Sequence, residues 1–273
     1  MRERSTGFII VGLLVLISSL CVIVFALPTG MQELLKTRSD NFNLLTFFSS
    51  TFVHANLEHL LGNLLSFLLL GFIVYAINRK SNRDKAFLIS LLLTFFLLPL
   101  IYNISFVFLA NFVMGKVVVS CGLSIVVAGI VGLTVPSLGN FLREPLQSDR
   151  NILCFLTSLI LLTGSAIAFP YINSGVYSLT VFVATFILGF VLLLYVGRKL
   201  LNFATQNPNA KKRVIIASTL LFIYFTFFLS SLFPSDIIML EGSVVNIFAH
   251  YIGVFYGIGS GIYTLNVFHK KES

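Results

Sequence analysis

Three short segments of this chain carry side chains that could act together in one reaction. The first segment holds His59 and Asn63, which are four residues apart and therefore share one face of a helix. Two side-chain donors aimed at one point suit the oxyanion that develops during acyl transfer. The same pair also suits an interhelical hydrogen bond that holds a membrane bundle together. The spacing alone leaves both interpretations open.

The second segment places Ser124 in a stripe of small residues. Ser124, Ala128 and Gly132 recur every four residues, which lets a neighbouring helix approach closely. Gly122 leaves nearby backbone N–H groups open to a ligand, because it has no side chain. The start of the helix adds positive dipole character at this point. The pattern indicates either a nucleophilic serine or a packing surface.

The third segment contains His250, three residues before Gly253 and on the same helix face. Gly253, Gly257 and Gly261 form a second stripe with four-residue spacing. If the two stripes pack together, Ser124 and His250 meet at the outer end of the contact, where an imidazole can deprotonate a serine hydroxyl. The alternative is a buried histidine that donates to a backbone carbonyl.

The composition is that of a membrane protein. Of the 273 residues, 57% are hydrophobic and 10% are charged, and the mean hydropathy is +0.98. A soluble domain carries about 25% charged residues. The net charge of +8 indicates a basic cytoplasmic face, since no segment is long enough for a soluble nucleic-acid-binding domain. The three cysteines lie in apolar runs and predict no disulfide framework.

Hydrophobic runs of about 20 residues predict an all-α, polytopic helical bundle. We count eight runs, and the first is too long for the apolar core of a cleavable signal peptide, so we expect a retained first helix. The chain shows no internal repeat, and the simplest prediction is a single transmembrane domain over residues 1–273. The runs are 7–27, 57–77, 86–110, 117–135, 151–170, 176–197, 213–233 and 244–268.

The loops predict an orientation through the distribution of Lys and Arg. With eight spans both termini lie on one side, and that side holds fifteen of the 18 basic residues. We therefore expect cytoplasmic termini in a multi-pass protein of the cell membrane. On this topology His59, Ser124 and His250 each lie in the first third of a span that runs inward. The three segments then share the outer leaflet, which three unrelated packing motifs need not do.

The spans also exclude several kinds of catalysis. No Asp or Glu lies well inside any of them, so a pair of buried aspartates is excluded. A His-Glu-x-x-His zinc site is excluded too, because Glu58-His59 has the wrong order and no second histidine follows at the required spacing. A serine activated by a histidine without a buried carboxylate forms a Ser–His dyad.

These segments resemble the rhomboid family of intramembrane serine proteases. That family has His-x-x-x-Asn on its second helix, Gly-x-Ser-x at the start of its fourth, and a histidine followed by spaced glycines on its last core helix. The order and spacing of these motifs are specific as a set. The matching residues here are His59 and Asn63, Gly122-Leu123-Ser124-Ile125, Ala249-His250 with Gly253 and Gly257, and His54.

The resemblance implies an enzyme and a role for each residue. Ser124 is the expected nucleophile and His250 the expected general base and then acid. The Ser124 backbone N–H, His59 and Asn63 are expected to bind the oxyanion, and His54 to brace the loop. Expected substrates are transmembrane segments of other membrane proteins, cut near the outer face of the bilayer. No metal, cofactor or nucleic acid is implied.

The sequence departs from the family pattern in three respects. Ile125 replaces a usual glycine, and Ala128 replaces a frequent aromatic residue. Three predicted helices, instead of one, separate the serine and histidine helices. We therefore expect a rhomboid-like six-helix core (residues 1–135 and 244–268) with two extra transmembrane helices within 151–233. A catalytically inactive rhomboid-like scaffold that binds membrane proteins, and a transporter with coincidental motifs, are the alternatives.

Overall fold

A computed structural model describes residues 2–115, 117–174, 176–233, 239–240, 243–244 and 247–269. Nearly all of these residues are helical. The α-helices are α1 (Arg2–Phe25), α2 (Thr29–Leu35), α3 (Leu44–Ser49), α4 (Leu57–Lys80), α5 (Asp84–Leu109), α6 (Ser124–Phe141), α7 (Arg143–Leu146), α8 (Asp149–Ala168), α9 (Val176–Gln206), α10 (Pro208–Ile223), α11 (Ser230–Leu232) and α12 (Ile247–His269).

Short irregular elements connect or extend these helices. Ser50–Phe52 and Phe169–Ser174 are 3₁₀-helical, and Ala110–Met114 and Tyr224–Leu229 are π-helical turns. The strands are β1 (Thr37–Arg38), β2 (Val119–Ser120), β3 (Met239–Leu240) and β4 (Ser243–Val244). β1 and β2 pair in antiparallel fashion, with Thr37 opposite Ser120.

Seven helical segments in the described residues are long and apolar enough to cross a membrane. They confirm an all-α, multi-pass membrane protein. The segments are Ser5–Phe25, Leu57–Lys80, Asp84–Phe112, Ser124–Phe141, Asp149–Ile172, Val176–Gln206 and Pro208–Leu232. Residues 247–268 of the last predicted run, 244–268, lie in α12, a helix of 23 residues that is not among the seven, while Val244 lies in β4. Its crossing of the membrane stays a prediction.

The predicted start of the fourth span was wrong. Residues 117–123 do not begin the helix, and α6 starts at Ser124. β2 takes up Val119–Ser120, and Gly122 adopts a φ of +117°, which a helix cannot include. The chain therefore reaches Ser124 through an extended segment and a glycine turn, and Ser124 opens the helix.

The chain divides into two compact units, and the division falls within α6. Unit 1 comprises residues 1–133 and 240–273, and unit 2 comprises residues 134–239. Unit 1 contains most of the residues predicted for the core, and unit 2 contains the three intervening helices. The prediction of one domain over the whole chain stays a prediction.

Close glycine contacts hold the helices of unit 1 together. A Cβ atom built on Gly71 of α4 would stand 2.8 Å from a methyl carbon of Leu14 of α1. One built on Gly129 of α6 would stand 2.8 Å from a methyl carbon of Leu98 of α5. Such contacts allow backbones to approach where lipid provides no hydrophobic driving force for association. α4, which carries His59 and Asn63, is thereby fixed against α1, and α6, which carries Ser124, is fixed against α5.

Unit 2 uses the same kind of packing and includes a buried polar contact between two of its segments. Its glycine contacts place Leu156 of α8 against Gly139, and Leu162 against Gly189 of α9. The hydroxyls of Thr163 and Tyr224 are 3.2 Å apart and buried. A hydrogen bond between them satisfies two polar groups that would otherwise be costly inside a membrane bundle.

Candidate active site

The start of α4 presents His59 and Asn63 to the backbone before Ser124. Asn56 caps the helix, since its side chain accepts a hydrogen bond from the His59 backbone N–H at 2.8 Å. A Cβ atom built on Gly122 would stand 3.3 Å from His59 Nε2 and 4.0 Å from Asn63 Nδ2. The structure therefore brings both predicted oxyanion donors to the same turn, two residues before Ser124.

The side-chain amide of Asn63 is a buried donor without a partner among the described residues. The residue is 8% exposed, and its Nδ2 atom has no hydrogen-bond partner in the described part of the chain. A buried donor without a partner costs about 1–3 kcal/mol. Such groups are rare in folded proteins, and each needs an explanation. A donor kept open for an acceptor that arrives with a substrate is one such explanation.

The turn before Ser124 is held by two successive backbone hydrogen bonds. The Gly122 N–H donates to the Ser50 carbonyl at 2.9 Å. The Leu123 N–H donates to Nε2 of His54 at a longer 3.4 Å. Because both acceptors belong to the segment that precedes α4, that segment fixes the position at which α6 begins.

His54 braces this turn in one protonation state. Its Nδ1 atom lies 3.2 Å from the Phe52 carbonyl oxygen, while its Nε2 atom accepts from Leu123. A carbonyl can only accept, so Nδ1 carries the proton and the ring is neutral. Burial, and next the charge of the neighbouring His59, lower the pKa of His54 to about 4, against a smaller opposing effect of the Phe52 carbonyl. The brace is therefore intact at ordinary pH.

The two stripes of small residues pack directly on each other. A Cβ atom built on Gly253 of α12 would stand 2.6 Å from the Ala128 Cβ and 2.8 Å from the Ile125 carbonyl oxygen of α6. Further along, Gly257 lies against the Gly129 carbonyl. Only glycine allows this approach, because any side chain at these positions would meet backbone.

The register of this contact relates Ser124 to His250. Positions advance together along α6 and α12, so the helices run in the same direction. One turn back from the contact between Ala128 and Gly253, α6 begins at Ser124 and α12 carries His250. His250 is 5% exposed, and Ser124 is partly exposed. The register predicts that the two side chains are neighbours at the start of the helix pair.

The sequence did not reveal several residues that shape this site. Ser50 holds Gly122 through its backbone carbonyl, and Tyr102 places its hydroxyl 2.9 Å from Ser120 Oγ in the strand before the turn. Thr37 pairs with the same strand. These residues belong to no recognisable motif. Ser50 acts through its backbone carbonyl, so its residue type does not indicate the contact.

Comparisons of the chain with models of protein families, with curated proteins and with solved structures find no match.

Proposed function

We propose that this chain is a serine endopeptidase of the rhomboid type that cuts transmembrane segments of other membrane proteins near the outer face of the bilayer. Ser124 is the nucleophile and His250 the general base. The single observation that carries the proposal is the buried Nδ2 of Asn63 beside the Gly122 turn, which has no hydrogen-bond partner among the described residues. A packing role would leave that donor hydrogen-bonded to a neighbouring helix, whereas an oxyanion site needs it open.

The reaction begins at the Ser124 hydroxyl. His250 accepts the hydroxyl proton as Ser124 Oγ forms a bond to the scissile carbonyl carbon. The carbonyl oxygen becomes an oxyanion, which accepts hydrogen bonds from the Ser124 N–H and from the side chains of His59 and Asn63. The C–N bond then breaks, and protonated His250 gives its proton to the leaving amine. An ester between the substrate acyl group and Ser124 remains.

Water completes the cycle. His250 takes a proton from a water molecule as its oxygen attacks the ester carbonyl carbon, and the same donors hold the second oxyanion. The Ser124–acyl bond breaks, the proton returns to Ser124 Oγ, and the new carboxyl terminus leaves. Each step uses only Ser124, His250, water and the oxyanion donors, so the dyad works without a buried carboxylate.

The proposed topology places this chemistry at the outer leaflet of the cell membrane. The excess of Lys and Arg in the loops on the side of both termini makes that side cytoplasmic. The proposed architecture is a six-helix rhomboid-like core, residues 1–135 and 244–268, with two extra transmembrane helices within 151–233. The partners are transmembrane substrates and the surrounding lipid.

A second candidate is a catalytically inactive rhomboid-like scaffold that binds membrane proteins. The observation that favours it is Ile125, a bulky residue directly after the nucleophile at a position where the family usually has glycine. Its side chain is buried. Crowding by this side chain would leave a binding surface for transmembrane helices without turnover.

A serine-reactive fluorophosphonate probe separates the two candidates. We expect the wild-type protein to be labelled and Ser124→Ala to lose labelling. Ser105→Ala is the matched control, because Ser105 is partly exposed on α5 and, among the described residues, its hydroxyl bonds only to the Ile101 carbonyl of its own helix. Labelling that survives Ser124→Ala contradicts the assignment of the nucleophile. A wild-type protein that binds transmembrane segments but is never labelled supports the scaffold.

A further inference from the structure

A closed ring of hydrogen bonds joins the segment between α2 and α4 to the turn before Ser124. The Ser50 carbonyl accepts from Val53 N–H at 3.2 Å and from Gly122 N–H at 2.9 Å. It therefore closes the 3₁₀ turn of its own segment and holds the turn at Gly122 at the same time. A shift of Ser50 would move both.

The buried side chain of Thr37 holds Ser50 in place through a hydrogen bond between the two hydroxyls. Its hydroxyl donates to the Thr46 carbonyl at 2.9 Å and hydrogen-bonds the Ser50 hydroxyl at 3.1 Å. Thr37 is 0% exposed and Ser50 is 3% exposed. Water therefore cannot replace these bonds if the Thr37 hydroxyl is removed, and a buried polar group would stay unsatisfied.

The backbone of Thr37 completes the ring. Thr37 pairs with Ser120 across β1 and β2, two residues before Gly122. Thr37 thus contacts the strand that leads into the turn through its backbone. Through its hydroxyl and Ser50, it also positions the turn at Gly122. The side chains of His59 and Asn63 lie against the same turn, within 4.0 Å of a Cβ atom built on Gly122.

We propose that Thr37 is a positioning residue for the oxyanion site, acting through Ser50 on the backbone of Gly122. This inference rests on the proposed function. Oxyanion donors work only within a narrow range of distance, and small misplacements lower the rate of reaction strongly. Loosening Ser50 lets the Gly122 turn, and the Ser124 N–H that follows it, move relative to His59 and Asn63.

The test compares isosteric and conservative variants in the full chain, reconstituted in liposomes with a fluorescent transmembrane peptide as substrate. Thr37→Val removes the hydroxyl at nearly constant shape, and Thr37→Ser keeps it. Thr46→Val is the matched control, since that hydroxyl lies in the same segment but, within the described part of the chain, donates only to the Asn43 carbonyl. Hydrogen–deuterium exchange over residues 119–123 reports on the turn independently of activity.

We expect Thr37→Val to lower kcat about tenfold with KM within about twofold of wild type. Amide exchange of the turn should rise about tenfold in the same variant. Thr37→Ser and Thr46→Val should resemble wild type in both measurements. A merely structural role would lower the thermal stability of Thr37→Val without changing kcat of the folded enzyme.

The outcomes separate this inference from the proposed function. An active wild type with equal kcat in Thr37→Val and Thr46→Val overturns the positioning role of Thr37. An inactive wild type contradicts the proposed function. In that case amide exchange over residues 119–123 still tests whether the Thr37 hydroxyl stabilises the Gly122 turn. Faster exchange confined to Thr37→Val supports the ring, and equal exchange in all variants overturns it.

Discussion

Gly122 leaves just enough room for His59. A Cβ atom built on Gly122 would stand 2.9 Å from Cε1 of the His59 ring, closer than real Cβ contacts come. The backbone there also has a φ of +117°, which side chains of L-residues rarely adopt. The imidazole and the turn before Ser124 are therefore matched in shape, and the match depends on glycine.

Gly122→Ala should reduce cleavage about a hundredfold or more, because the methyl group displaces either the turn or the His59 ring. Gly115→Ala is the control. Gly115 also has a positive φ, +60°, but a Cβ atom there would meet none of the described atoms within 4 Å. Backbone strain without the clash should leave kcat near that of wild type. Equal losses in both variants, measured with the same peptide substrate, would show that strain alone matters.

Asn63→Leu should separate activity from stability. Loss of a true oxyanion donor costs about 2–4 kcal/mol of transition-state stabilisation. Stability should stay level or rise, since the Nδ2 of Asn63 has no partner in the described residues to lose. Asn103→Leu should do the opposite, because Asn103 Nδ2 donates to the Phe47 carbonyl at 2.7 Å and to the Pro99 carbonyl at 3.0 Å. Thermal unfolding and kcat of the two variants test this contrast, and an active, destabilised Asn63→Leu would assign Asn63 to packing.

Gly257→Ala should loosen the contact between the serine and histidine helices. A methyl group at this position meets the Gly129 backbone carbonyl, which cannot move aside without shifting α6. We expect a lower melting temperature and lower activity. Gly259→Ala lies on the same helix, where a Cβ atom meets nothing within 4 Å in the described residues, and it should be neutral or stabilise the helix by up to about 1 kcal/mol. Similar melting temperatures for the two variants would contradict the close packing of α6 on α12.

Acid should release the His54 brace. The ordinary histidine pKa is 6.5, and burial lowers that of His54 to about 4 in the folded protein. Because the folded value is the lower one, the contribution to stability is complete above pH 6.5 and is lost as pH falls towards 4. His54→Gln cannot titrate, while the neighbouring His59 is present in both proteins. The melting temperature of wild type should therefore fall more steeply than that of His54→Gln between pH 6.5 and 4, and parallel curves would contradict the neutral brace.

The sequence predicted the parts of this site that follow from helix periodicity. The spacing of Ser124 with Ala128, and of His250 with Gly253, predicted two faces that could pack, and those faces do pack. Periodicity works here because each α-helix fixes side-chain directions over many residues.

The remainder depended on contacts between distant and irregular segments. The fourth span was predicted to begin at 117, but pairing of β2 with β1 and the positive φ of Gly122 delay the helix to Ser124. The hydrogen bond from the Gly122 N–H to Ser50 uses a backbone carbonyl oxygen, which every residue type possesses. Neither the strand pairing nor the contact of the Ser50 carbonyl changes the hydrophobic pattern, so neither can be predicted from the pattern of a single sequence.

Cleavage of a fluorescent transmembrane peptide in liposomes, by wild type beside Ser124→Ala and Ser105→Ala, tests the central claim most directly. The proposed dyad predicts cleavage by wild type and by Ser105→Ala, and none by Ser124→Ala. Cleavage that persists in Ser124→Ala, or a folded wild-type protein that cuts none of a panel of such peptides, would contradict it.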